Sequence, residues 1–252
     1  MRNKLTKLDA IRGFAALYVV FYHSFFSESF IIGDHNLSFL FKFGQEAVIL
    51  FFLMSGFVIE YSFEISKDKS FWSYFQKRFY RIYIPLCIVM ITQYVMLSVK
   101  NGGLVNPEWL QLGGNIFMLQ DVSGLKPNVI CNPYLGNSPL WSLSYEWWFY
   151  MSFYLFFRIL SRLRFNELYI SLLVVFSALT YLWQPFFINR LFMYYGIWWT
   201  GVIMAKSFIK NSFVKIKDLR ISILVLSSTV LLLLINAYIH RGNITSIGIS
   251  PL

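Results

Sequence analysis

Charged side chains are scarce in this sequence. Asp, Glu, Lys and Arg together make up 13% of its 252 residues, against about 25% in an average soluble domain. A chain with so few charges lacks the solvated surface that a globular protein needs. Hydrophobic residues make up 57% and aromatic residues 20%, as expected where rings meet lipid and the headgroup region. The composition therefore excludes a soluble protein and indicates an integral membrane protein.

Cysteine and acidic residues are also few. The two cysteines, Cys87 and Cys131, do not form a disulfide framework, and neither belongs to a CxxC or other metal-binding pattern. We therefore expect no metal. Only 12 acidic residues oppose 22 Lys and Arg, which leaves a net charge of +10. In a soluble protein that excess would suggest nucleic-acid binding. Here the basic residues lie between apolar stretches, so we expect them to set membrane orientation and expect no nucleic-acid partner.

Long apolar stretches predict an all-α fold, a polytopic helical bundle in the membrane. A spanning helix needs about 20 largely apolar residues. Seven segments meet this need, at about 8–26, 44–63, 79–98, 140–158, 168–186, 191–207 and 220–238. The stretch 109–119 is shorter and is interrupted by glycines, which favours an interfacial or re-entrant element. We expect a single domain over residues 1–252, with a long connecting loop at about 99–139.

The distribution of basic residues predicts the orientation. With the N-terminus in the cytoplasm, five of the 22 basic residues fall outside, namely Lys42, Lys100, Lys126, Arg190 and Arg241. The other 17 fall inside, as the positive-inside rule requires. This orientation places the 99–139 loop on the outer side of the membrane.

The first predicted helix carries two ionisable groups, Arg12 and His23. Ionisable residues in a membrane span are candidates for function because burying them is costly. Eleven α-helical residues at 100° each bring both side chains to one face, about 16.5 Å apart along the axis. Gly13 and Ala16, beside this face, would allow close approach of a partner. From spacing alone, a functional pair and an interfacial histidine with an anchoring arginine remain equally open.

Three further stretches carry weaker signals. Ser55 and Gly56 form a small step in the second helix, which favours helix packing. Arg78 and Arg81 begin the third helix, where they either anchor it or bind phosphates. Glu146 lies among tryptophans near the start of the fourth helix, a pattern typical of sugar binding and also of the ordinary aromatic belt.

Together, these stretches resemble the acyltransferase family 3 proteins, bacterial membrane O-acyltransferases of envelope polysaccharides and other glycosides. The family has an arginine, ten residues and a histidine in the first helix, as Arg12 and His23 stand here. FFLMSGF at 51–57, RFYRIYIP at 78–85 and WSLSYE at 141–146 are similar to three other family motifs and follow in the same order. The family usually has about ten spans, so we expect a short member or a truncated chain.

The resemblance implies acetyl transfer from cytoplasmic acetyl-CoA, the acyl donor, to an extracytoplasmic glycan in the bacterial inner membrane. Arg12, Arg78 and Arg81 would bind the anionic acyl-CoA. His23 would act as a general base on the acceptor hydroxyl or carry the acetyl group as a nucleophile. Arg12 and Glu146 complete the expected catalytic set.

Acceptor binding is expected at the start of the fourth helix. Ser142 and Glu146, four residues apart, share a helix face, and Trp141 beside them offers a flat surface for a sugar. Asp9, one turn before Arg12, is expected to orient it by a salt bridge, and Ser55 to support the site. Two rival functions remain. A transporter would line a conduit with the same buried ions but often shows internal repeats, and we find none. A membrane scaffold would not need Arg12 and His23.

Overall fold

Helices dominate the structure, a computed structural model that describes residues 6–26, 31–32, 35–160 and 166–239. The helices are α1 (Thr6–Phe21), continued by a π-helical turn (Tyr22–Phe26), α2 (Gly44–Glu64), α3 (Phe71–Lys100), α4 (Trp109–Ile116), α5 (Trp141–Leu160), α6 (Asn166–Trp183), α7 (Phe187–Asn211) and α8 (Arg220–Ile239). Two short strands, β1 (Ile31–Ile32) and β2 (His35–Asn36), pair antiparallel. The all-α membrane fold is confirmed, and each of the seven predicted segments is helical.

In the described parts of the chain, three helical segments are long and apolar enough to cross a membrane, Ser38–Glu64, Phe71–Lys100 and Ile216–Ile239. The count of seven spans stays a prediction. α3 begins eight residues before its predicted start, because the Ser70 hydroxyl accepts a hydrogen bond from the Ser73 amide and caps the helix there. The 109–119 stretch holds the two-turn helix α4, and its depth in the membrane also stays a prediction.

The chain divides into two compact units. The first combines Met1–Glu64 with Ile197–Leu219. Here α1 packs along α2, and α2 crosses the second half of α7 at two glycines. A Cβ on Gly56 would lie 1.9 Å from the Trp198 carbonyl oxygen, and a Cβ on Gly201 would lie 1.9 Å from the Leu53 carbonyl oxygen. The two backbones therefore approach as closely as only glycine allows.

The second unit combines Ile65–Gly196 with Arg220–Leu252. In it α3 packs against α5, and α6 packs against α8. The Tyr74 hydroxyl of α3 donates to the Tyr150 carbonyl oxygen of α5 at 2.9 Å. The connection between α3 and α5 is held by its own side chains: Asn115 on α4 donates to the Asn132 carbonyl oxygen and accepts from the Tyr134 amide. The loop predicted at 99–139 is therefore an ordered part of this unit.

Candidate active site

Arg12 lies on α1 and is 8% exposed. Its guanidinium carbon lies 5.5 Å from the ring centroid of Phe51 on α2, a cation–π contact. Within the described residues, the Arg12 Nε has no hydrogen-bond partner. A buried guanidinium with an unsatisfied donor is costly, which makes it a site for an anionic or carbonyl ligand. The side chain of Asp9 lies outside the described part of the structure, so the predicted salt bridge stays a prediction.

His23 lies in the π-helical turn that ends the first helix. Such turns are rare and are frequent at functional sites. The Tyr22 ring meets the imidazole edge-on, with 5.0 Å between centroids. Tyr22 is itself held close to α2, since a Cβ on Gly44 would lie 2.3 Å from the Tyr22 ring. The missing side chain at Gly44 therefore leaves the space that the Tyr22 ring occupies beside His23.

The environments of Arg12 and His23 differ, because His23 is exposed. The prediction of a shared face assumed α-helical geometry throughout, but the helix changes to π at Tyr22. That Gly13 and Ala16 allow close approach of a partner or ligand stays a prediction, because among the described residues no neighbouring atom approaches Gly13. Ala16 is exposed, and a Cβ on Gly13 would meet no atom within 4 Å. Ala15, one residue earlier than Ala16, is the small residue that is buried.

The small step at Ser55 and Gly56 packs helices together. Ser55 is buried, and Gly56 meets the backbone of α7 at Trp198. This geometry supports the packing interpretation of the motif. A supporting role of Ser55 in catalysis stays a prediction.

Arg78 and Arg81 lie in the first turns of α3 with different exposures. Arg78 is buried, with its guanidinium carbon 4.8 Å from the Tyr74 ring centroid. Arg81 is exposed. The two lie three residues apart, which on an α-helix leaves them about 60° from each other around the axis, so they can form the cationic cluster that the sequence predicts. Their joint action with Arg12 on a donor stays a prediction.

Glu146 is buried on α5 and accepts a hydrogen bond from the Tyr150 hydroxyl one turn later. Ser142, one turn before Glu146, is partly exposed and donates to the Pro139 carbonyl oxygen. Trp141 is buried, and the Lys126 ammonium lies 3.6 Å from its ring centroid. That ring is therefore not an open stacking platform for a sugar, because a lysine already covers it.

The second unit contains a buried ion cluster around Asp121 that the sequence does not predict. Asp121 is fully buried. Its Oδ1 accepts from the Lys126 Nζ at 2.8 Å, and its Oδ2 accepts from the Tyr145 hydroxyl at 2.5 Å. The Arg190 Nε lies 3.3 Å from Oδ2, with the Arg190 side chain 2% exposed. The Arg190 Nη1 donates to the Pro127 carbonyl oxygen at 2.6 Å. We refer to Asp121, Lys126, Tyr145 and Arg190 as the ion cluster.

Lys126 gives the ion cluster a pH dependence. Burial lowers the pKa of Lys126 from 10.5 to about 8, and Arg190 also lowers it, while Asp121 partly opposes the shift. The rings of Trp141, Tyr145 and Tyr194 face the ammonium as well. Between pH 8 and 10.5 the unfolded chain therefore holds a proton that the folded chain has released. Stability rises with pH wherever the unfolded state binds more protons.

We expect the free energy of unfolding of the wild type to rise, relative to Lys126→Met, between pH 8 and 10.5, by at most about 3 kcal/mol. The measurement is the unfolding midpoint of both proteins in detergent across this range. Lys100→Met, which removes an exposed charge, should follow the wild type. Parallel curves for wild type and Lys126→Met would contradict the assignment.

Among the described residues, no three His, Cys, Asp or Glu side chains lie close enough to hold a metal ion. The expectation of no metal stays a prediction.

The helical fold is that of an integral membrane protein, and comparison with known proteins gives its family. A family model described as an acyltransferase domain matches residues 5–250, so the chain belongs to acyltransferase family 3. It is similar to the acyltransferase MdmB of Streptomyces mycarofaciens, with 32% identity over 177 residues, or 66% of this chain and 42% of that protein. The match thus spans less than half of that relative's length. No solved structure matches the chain.

Proposed function

We propose that the protein transfers an acetyl group from cytoplasmic acetyl-CoA to a hydroxyl of an extracytoplasmic carbohydrate. Membership of acyltransferase family 3 supports acyl transfer, and the motif resemblance supports this donor and this acceptor. The observation that carries the proposal is the buried Arg12, whose Nε has no hydrogen-bond partner among the described residues. His23 lies on the same helix in a π-helical turn.

The donor would approach from the cytoplasmic side. CoA is anionic, and guanidinium groups bind phosphates through paired hydrogen bonds. Arg78 and Arg81, about two and three turns into α3, would hold the phosphates. Arg12 would bind an oxygen of the donor, because its unsatisfied Nε gains from a partner.

The transfer step would take place at His23. As a general base, the imidazole takes the proton of the sugar hydroxyl while that oxygen attacks the thioester carbonyl carbon. The carbon–sulfur bond then breaks, and the imidazolium returns the proton to the leaving CoA thiolate. As a nucleophile, the imidazole itself attacks the thioester, releases CoA, and passes the acetyl group to the hydroxyl afterwards. Both routes require the imidazole to be unprotonated at the start, and histidine is the side chain suited to exchange a proton near neutral pH.

Glu146 would position the acceptor. Its carboxylate accepts from the Tyr150 hydroxyl and would also accept from a sugar hydroxyl. Ser142, one turn earlier and partly exposed, would offer a second polar contact.

The bacterial inner membrane, with the N-terminus in the cytoplasm, fits the charge distribution. Two of the five basic residues assigned to the outside, Lys126 and Arg190, are paired with Asp121. Their positive charge is thus partly neutralised. The positive-inside rule counts Lys and Arg and gives Asp and Glu little weight, so the support for this orientation is the count of 17 basic residues against five.

Donor binding offers a direct test. We expect Arg78→Lys and Arg81→Ala each to weaken acetyl-CoA binding by about tenfold or more, because a charge-assisted hydrogen bond is worth about 1.5–3 kcal/mol. The dissociation constant is measured on purified protein by calorimetry. Lys77→Met removes an exposed charge from the same turn and serves as the control. Unchanged affinity in both arginine variants, with normal protein levels, would show that these arginines only anchor the helix.

A further inference from the structure

One face of α5 is occupied by the chain segment 118–126. Four side chains spaced i, i+3, i+4 and i+7 form a single stripe on this helix, and each contacts the segment. The stripe consists of Trp141, Ser144, Tyr145 and Trp148. Three of these residues, Trp141, Ser144 and Tyr145, belong to the WSLSYE motif at 141–146, so the motif binds part of its own chain.

Two side chains of the stripe, Trp148 and Ser144, donate to backbone carbonyl oxygens of the segment. The Trp148 Nε1 donates to the Met118 carbonyl oxygen at 2.9 Å. The Ser144 hydroxyl donates to the Gln120 carbonyl oxygen at 2.8 Å. The segment also donates a hydrogen bond, from the Gln120 Nε2 to the Leu140 carbonyl oxygen at 3.1 Å. These neutral bonds fix the first half of the segment along two turns of α5.

Asp121 holds the second half. Its carboxylate accepts from the Tyr145 hydroxyl of α5 and from the Lys126 ammonium. The same carboxylate pairs with Arg190 at the start of α7. Lys126 in turn covers the Trp141 ring at 3.6 Å. One buried acid thus joins the segment, α5 and α7.

Removing this acid would leave two buried cations without their counter-ion. A buried pair that loses one partner is strongly destabilised, because the remaining charge stays desolvated. Lys126 can release its proton, but the Arg190 guanidinium stays charged and is relieved only where solvent reaches it, which requires the segment to leave the face of α5. The neutral bonds of Ser144 and Trp148 would then be lost as well.

Glu146 lies on the same two turns of α5 as the stripe, one residue after Tyr145. We propose that Asp121 is a positioning residue of the transferase: by pinning the segment 118–126 to α5 and α7, it holds the turn that presents Glu146 to the acceptor. This inference rests on the proposed acceptor role of Glu146. Asp121 itself acts through Tyr145, Lys126 and Arg190.

The test compares Asp121→Asn with Glu108→Gln in the full-length protein. Glu108 is an exposed acid in the same connection between α3 and α5. Two readouts are taken: hydrogen–deuterium exchange of the backbone amides, and O-acetyl content of envelope polysaccharide in cells that carry each variant as the sole copy. Acetyl-CoA affinity is measured on the same purified proteins.

For Asp121→Asn we expect faster exchange confined to 118–126 and the first turns of α5, with α3 unchanged. Acetylation should fall about 10-fold to 100-fold, the size expected when a reacting group is misplaced by about 1 Å. Acetyl-CoA affinity should stay within twofold of wild type. If Asp121→Asn does not accumulate, Tyr145→Phe removes one bond and no charge, and it should give the same pattern at smaller size.

Unchanged exchange in the segment would overturn the proposal, as would normal acetylation despite a loosened segment. A matched loss of acetyl-CoA binding and acetylation would also overturn it, because a general loss of fold affects both. Absence of acetylation by the wild type would instead refute the proposed function. The exchange data would still report whether Asp121 holds the segment.

Discussion

His23→Asn should lower the acetylation rate by a factor of at least about 10²–10⁴, because general acid–base catalysis alone contributes about that factor. The variant should accumulate normally in the membrane. Asparagine imitates the hydrogen bonds of the imidazole but does not accept a proton at neutral pH. His23 is exposed, so the substitution leaves no cavity and little packing is lost. The rate is measured as O-acetyl groups formed on envelope polysaccharide.

His35→Asn provides the matched control. His35 is an exposed histidine in β2, and its variant should keep full activity. A structural role of His23 would lower protein level together with activity. If His23→Asn accumulates normally and acetylates at the wild-type rate, the family motif indicates common ancestry without a catalytic role for His23. The transporter hypothesis is then favoured.

Gly201→Ala should cause the largest loss of stability among single-methyl additions. The new Cβ would lie 1.9 Å from the Leu53 carbonyl oxygen and 2.9 Å from the Phe57 amide nitrogen. Both atoms belong to the backbone of α2, so no rotamer change relieves the overlap and the helices must separate. Overpacking typically costs about 1–3 kcal/mol and more where the backbone must move, a large share of the about 5–15 kcal/mol that keeps a protein folded.

The effect of Gly201→Ala is measured as the thermal midpoint and the yield of folded protein in detergent. Gly56→Ala should behave in the same way, since its Cβ would overlap the Trp198 carbonyl oxygen. Gly13→Ala is the control, because a Cβ there meets no atom within 4 Å. It should keep or raise stability by about 0.5–1 kcal/mol, as expected for replacing a helical glycine. Equal midpoints for Gly201→Ala and Gly13→Ala would contradict the close crossing of α2 and α7.

The helices were predictable because hydrophobic length is a local property of the sequence. Apolar stretches such as 44–63 and 220–238 correspond to α2 and α8 with ends that agree within a residue. The start of α3 was not predictable, because the capping hydroxyl of Ser70 lies in a polar stretch with no apolar periodicity. The family motifs identified the acyltransferase, which the family model confirms.

Contacts between distant parts of the chain were beyond the sequence. Asp121 and Arg190 are 69 positions apart in the numbering, and no local pattern indicates that they pair. The i, i+3, i+4, i+7 stripe on α5 is a visible signal, but in the sequence its tryptophans indicate a sugar-binding surface or the aromatic belt, not a contact with residues 118–126. The π-helical turn at His23 was equally hidden, because nothing in YHSFF distinguishes it from an ordinary helix end. Ion pairs and helix distortions of this kind depend on tertiary packing.

Under the proposed function, this protein acetylates a carbohydrate outside the membrane. The most direct measurement is the O-acetyl content of envelope polysaccharide from cells with and without the gene, with wild type or His23→Asn restored in the deletion strain. We predict that deletion removes a set of O-acetyl esters, that wild type restores them, and that His23→Asn does not. Identical O-acetyl content in all four strains would contradict the claim.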